Sequence, residues 1–128
     1  MRTIRRNSVD VKTHIERLWE DRDAHVAAQI RRYPTAAVLA AVANAHGYGV
    51  TALRSKARTR HLAMARHHAV WELRRRRLDM SFQQIAAELD RINHATAMHS
   101  WQVFRELARR GEYAAARAAV AADLDGEA

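Results

Sequence analysis

The sequence predicts an all-α protein, and three observations carry that prediction. Apolar residues recur three and four positions apart through most of the chain. Hydrophobic residues make up 48% of the 128 positions, and many of them are alanine, the strongest helix former. Helix breakers are scarce, with one proline and four glycines, and no segment is rich enough in Val, Ile, Tyr or Phe to read as a set of long strands. A chain of this length holds one domain with a modest core.

The first helix is expected to run to about Tyr33, with Asn7 and Ser8 as caps and Val11, Ile15, Leu18, Val26 and Ile30 at helical spacing. Tyr33-Pro34 breaks it, because a residue before proline avoids the α region. Pro34 suits the first turn of a second helix, which carries Val38, Leu39 and Val42 to His46 and closes at Gly47. A helical turn covers Thr51 to Leu53. The polar loop Ser55-Lys56-Ala57-Arg58-Thr59 leads into a long helix from about Arg60 to Arg76, with Leu62, Ala65, Ala69, Val70 and Leu73 on its apolar stripe. Ser81 and Gln84 have the spacing of a capping box for a short helix carrying Phe82, Ile85 and Leu89. The tight connection Asp90-Arg91-Ile92 precedes a helix capped by Asn93, with Ala97, Trp101, Phe104 and Leu107 inward and Gly111 at its end. Residues 112–124 form an Ala-rich helix, and the final DGEA reads as frayed. The expected organisation is an N-terminal helix over 1–33 that packs on or extends the domain, a helix-turn-helix domain over 34–110, and a C-terminal helix with an acidic tail over 111–128.

Composition excludes several functions. Without cysteine there are no disulfides, thiolate metal sites or thiol nucleophiles. No apolar run approaches the ~20 residues that span a bilayer. The basic start, MRTIRR, is followed by no hydrophobic segment of signal-peptide type, so a cytoplasmic protein is expected. No Ser/His/Asp arrangement is evident, and neither catalysis nor a cofactor is expected.

The formal net charge is +8, which suits a phosphate polymer as partner. Its distribution is more telling. Between Arg54 and Arg77 stand nine Lys and Arg but a single acid, Glu72. A short helix, a tight turn and a longer helix follow, the order of a helix-turn-helix, whose second helix lies in the major groove with its first residues at base edges. That placement explains why the stretch around Asn93, His94, Ala95 and Thr96 is small and polar. Asn pairs with adenine, His donates to a base or phosphate, and Ala or Thr touches a thymine methyl. The helix start also favours a phosphate.

These residues carry a resemblance. Val42, Ala43, Val50, Leu53, Ser55, Lys56, Arg58, Thr59 and Arg60, then Ala65, Arg66 and Ala69, then Ser81, Phe82, Ile85 and Ala86, and finally Asp90 to Ser100, follow in order a pattern similar to the C-terminal DNA-binding domain of DnaA, the bacterial replication initiator. The resemblance covers about half the chain. It implies a helix-turn-helix of Trp-repressor-like type that binds double-stranded DNA. It also implies that Arg58 enters the minor groove, that Lys56, Arg60, Arg66 and Arg74 meet phosphates, that Asn93, His94, Ala95 and Thr96 face bases, and that His99 touches the backbone. Three departures from the family's G-x-R-D-H-[TS]-T signature bear on recognition: Ile92 for Arg, Asn93 for Asp and Ala95 for Thr. Asp accepts from cytosine whereas Asn prefers adenine, so a different target sequence is expected. The nucleotide-binding motif G-x-x-x-x-G-K-[ST] does not occur, so binding, recruitment or competition is expected rather than ATP-driven DNA loading.

Plainer readings stand beside these. Arg74 to Arg77 alone read as a solvated helix end, and only Arg74 is assigned to DNA. His67 and His68 read as surface or DNA-flanking residues, since neighbours on a helix diverge and share no ion. His14, His25, His46 and His61 read as structural or exposed, Trp19 and Trp71 as core or half-core. The first helix has two readings, completion of the core, which is favoured, or a surface for a partner or a dimer seam. Regulation of transcription is the expected function, with activators of bacterial gene transfer agents as one form of it and transcription machinery or a sigma-like factor as the protein partner. The alternatives are an accessory or competitor at replication origins and an adaptor that has lost DNA binding.

Overall fold

The computed structural model describes residues 2–90 and 93–126, residues 2–10 by their helical backbone alone. Every regular element among them is a helix: α1 (Arg2–Arg32), α2 (Thr35–Ala45), α3 (Val50–Leu53), α4 (Arg60–Arg76), α5 (Phe82–Glu88), α6 (His94–Arg109) and α7 (Ala114–Asp125). The all-α fold is therefore as the sequence implies. The connection at Arg91 and Ile92 lies outside the described residues.

Local chemistry sets the boundaries. Pro34 lies immediately before α2. Thr59 caps α4, its hydroxyl accepting the Leu62 N–H at 3.2 Å. Ser81 and Gln84 exchange both bonds of a capping box, at 2.8 and 3.1 Å. Gly111, at φ +81°, takes the left-handed position past the end of α6. One expected boundary moves. α1 begins at Arg2, not at Asn7 or Ser8, because nothing between them breaks a helix.

α4 is the spine of the core. It packs on α2 along one side and α6 along the other, α5 braces α6, and α7 lies on α2. Val38, Leu39, Val42, Leu53, Leu73, Ile85, Phe104 and Val120 are all fully buried. These helices fill one another's apolar faces, so no place is left for α1. The core position expected for Leu18 and Trp19 is wrong: they are 52% and 57% exposed, as are Val11 and Ile15 nearby. The last turns of α1 approach the body, where Val26 and Ala27 are half-buried and the Gln29 side chain accepts the Leu78 N–H at 3.2 Å.

The arginine run is not a solvated helix end. Arg76 and Arg77 are buried. Arg76 donates to Glu72 at 2.7 Å and to Asp125 at 2.8 Å, and Arg77 holds Asp79 through two bonds while reaching the Tyr33 carbonyl. Only Arg75 is exposed, lying over the half-buried Trp71 ring. His68 is likewise no surface residue. It is fully buried, stacked on Phe104 with ring centroids 4.3 Å apart, and bonded to Glu72 at 3.0 Å and to His46 at 2.8 Å. Asp125, expected to fray, accepts from Tyr33 as well as Arg76. The result is a continuous polar chain, His46–His68–Glu72–Arg76–Asp125–Tyr33, which ties α7, the end of α2 and Tyr33 to the spine. Period-based reading misses it because a buried charge pair looks polar in sequence.

Candidate nucleic-acid interface

The loop between α3 and α4 is built from inside. Arg66, one and a half turns into α4, turns its guanidinium back under the loop. It donates to the carbonyl oxygens of Leu53 at 2.9 Å, Ala52 at 3.3 Å, Ser55 at 2.7 Å and Ala57 at 2.7 Å. One side chain thereby satisfies two carbonyls of the loop and two of α3. Arg54, at the loop's start, donates to the Glu88 carbonyl at 2.7 Å and to its carboxylate at 3.3 Å, which fastens the loop to the end of α5. With the backbone held from within, Lys56, Ala57, Arg58, Thr59 and Arg60 all face solvent.

The second wall comes from the helix-turn-helix. Asn93 sits just before α6, and its side-chain oxygen accepts the Thr96 N–H at 2.8 Å. Behind it Ala97, Ser100 and Phe104 are buried, so Asn93, His94, Ala95 and Thr96 stand exposed at the tip, and Met98 and His99 follow on the same outer surface. His67 bonds Ser100 at 2.8 Å and fixes α6 against the spine. Burial, and then the neighbouring His99, pushes the His67 pKa down, so a cation there is disfavoured. Phe82 carries the other side of the tip, edge-on to His94 and Trp101, with Arg74 over its ring at 4.5 Å.

The two walls meet. Ser55, Lys56, Ala57, Arg58 and Arg66 line one side of an open cleft, and Leu89, Asp90 and Thr96 line the other. Arg58 and the tip of α6 therefore open onto one side of the molecule. Arg66 and Arg74 stand apart from the other residues selected in the sequence. Both are half-buried and spend guanidinium donors on backbone carbonyls, Arg74 on Met80 at 2.7 Å. Sequence reasoning missed Arg54, because its partner Glu88 lies 34 positions away. It also left out Met98 and Gln102, both exposed, which the i, i+3, i+4, i+7 spacing with Ala95 and His99 would have added to the α6 face.

Chemically, the arrangement offers cations on a firm loop, hydrogen-bonding groups on an adjacent helix start, and a positive helix end between them. No group of three or more His, Cys, Asp or Glu able to hold a metal ion occurs among the described residues. Among the described residues no helix is long and apolar enough to cross a membrane. The family described as the helix-turn-helix of the bacterial DnaA protein matches residues 35–103, from the start of α2 into α6. No curated protein and no solved structure gives a significant match.

Proposed function

The chain belongs to the bacterial DnaA helix-turn-helix family, whose domain is one of double-stranded DNA binding, and on that premise we propose that it reads a specific duplex sequence and regulates transcription from the sites it occupies. The observation that supports this reading best is the shared cleft between the Lys56–Arg58 loop and Thr96. Neighbouring minor and major grooves are presented to a bound protein in that way, cations to one and a helix tip to the other.

Within this reading Arg58 enters the minor groove, and Lys56 and Arg60 neutralise phosphates. Asn93, His94, Ala95 and Thr96 face base edges, and His99 meets the backbone. Arg66 and Arg74 act mainly by holding the loop and the α5 turn that the DNA meets. The DNA-binding unit spans 34–110, and α7 adds Val120 to its core. The protein works at the nucleoid in the cytoplasm without a cofactor, and activation of gene-transfer-agent genes is a narrower form of the same role.

Binding-site selection on random duplexes, followed by chromatin immunoprecipitation, tests it. A single enriched motif, bound with steep salt dependence and found at promoters, is the expected result. Peaks confined to a replication origin would replace regulation with replication control. No salt-sensitive retention of any duplex would overturn DNA binding and leave an adaptor.

A further inference from the structure

α1 carries an apolar surface that the fold does not use. Val11, Ile15, Leu18 and Trp19 lie on one face at helical spacing, each between 46% and 57% exposed. Leu18 stands roughly 20 Å along the helix axis from Arg32, at about 1.5 Å per residue, and so projects clear of the body. A helix with one wet apolar stripe and one charged face is an element awaiting a partner.

We propose that the partner is α1 of a second copy, packed antiparallel about a centre between Ile15 and Leu18. Three arguments support that occupant. In this register Ile15 of one chain lies level with Leu18 of the other, and Val11 lies level with the aliphatic stem of Arg22, which snorkels its charge outward. The flanking charges then match. Lys12 and Asp23 share one edge of the stripe and His14 and Asp21 the other, all exposed. Reversing the second helix brings Lys12 beside Asp23 of the other copy and His14 beside Asp21, on both sides of the twofold axis. A parallel pair would instead face unlike edges, setting Lys12 beside His14 of the other copy and Asp23 beside Asp21, like charge against like. Finally, the chain carries a net charge of +8, so two bodies repel if placed side by side. Antiparallel arms put the two ends at Arg32 roughly 45 Å apart by the helical rise, well beyond the ~10 Å range of screened charges.

The dimer does not depend on the DNA reading, and its test does not use DNA. Sedimentation equilibrium of the full chain across a micromolar range should give a concentration-dependent mass rising towards twice the monomer. Ile15→Glu with Leu18→Glu should restore the monomer while circular dichroism shows the helical body intact, since both side chains lie outside the core. Because the chain has no cysteine, orientation is read by oxidation. Ile15→Cys mixed with Leu18→Cys should cross-link faster than either variant alone. A monomer at every concentration overturns the proposal, as does a double-glutamate variant that still dimerises, which would place the contact elsewhere. Faster cross-linking of Ile15→Cys with itself would overturn the antiparallel register, and an α1 that binds only a foreign protein would appear as the first of these results.

Discussion

Arg66 holds Ser55: its guanidinium donates to the Ser55 carbonyl oxygen at 2.7 Å, and the same group spans the loop to Ala57 at 2.7 Å. One side chain of α4 therefore sets the path of the segment that displays Lys56 and Arg58. The planar fork suits several diverging carbonyls at once, and a single ammonium does not.

Arg66→Ala should lower duplex affinity about tenfold or more and loosen the loop, and Arg66→Lys should fail to restore either. Amide exchange over 54–59 together with a fluorescence-anisotropy titration checks both effects. Wild-type affinity with faster exchange would show that binding tolerates a mobile loop.

Arg58→Ala removes one exposed cation without touching a described hydrogen bond. Affinity should fall, and the slope of log K against log salt should become shallower by about one unit, with no change in thermal stability. An unchanged slope would take Arg58 off the DNA.

Asn93 has two tasks that substitution separates. Its side-chain oxygen caps α6, and its amide is the group that would recognise adenine. Asn93→Ala should cost about 1 kcal/mol of stability from the lost cap and a further ~1–3 kcal/mol of binding to the preferred site. Asn93→Asp keeps the cap while removing the donor, so stability should hold as the selected base moves from adenine towards cytosine. Repeating the site selection with each variant decides it, and an unaltered motif would mean that Asn93 is a cap alone.

Much of this was legible in the sequence. The bounds of α4, the capping box at Ser81 and the cap at Asn93 are written in local patterns of three or four residues, and local hydrogen bonds realise them. The exposed tip of α6 follows from the apolar period behind it. What stayed hidden depends on tertiary pairing. Arg76 and Glu72 look like surface charges until α7 brings Asp125 over them, and Arg66 looks like a phosphate ligand until the loop folds across it. The stripe of α1 has the period of a core helix, but period says only that a face is apolar, not what covers it.

The buried ion pair makes a strong contrast within one short helix segment. Glu72 and Arg76 are 1% and 6% exposed, whereas Arg75 is exposed. Glu72→Ala leaves Arg76 and His68 without their shared carboxylate and should cost about 3–5 kcal/mol, while Arg75→Ala should cost no more than about 1 kcal/mol. Chemical denaturation of the two variants checks the difference. Similar values would mean that Asp125 alone satisfies Arg76.

The same polar chain gives folding an acid limit. His46 is 8% exposed, and burial, reinforced by His68 and His61, pushes its pKa down to about 4 from an ordinary 6.5. Beside it stand His68 at 2.8 Å, the His61 ring at 6.1 Å and the Tyr113 ring at 6.0 Å, with no carboxylate among these neighbours. Between those two pKa values the unfolded chain binds a proton that the folded chain refuses, so acid favours unfolding. The stabilisation is complete above about pH 6.5 and is lost as the pH falls towards 4, on the order of 3 kcal/mol by the linkage relation. His67, also pushed down by burial, acts with the same sign. Asp125, held down to about 2 chiefly by its bond from Arg76, adds a separate loss only at lower pH. Melting temperature should therefore be level near neutrality and fall through the histidine window, and His46→Gln should flatten part of that fall. A melting temperature constant from neutrality to about pH 4.5 would show that His46 accepts its proton without leaving the core.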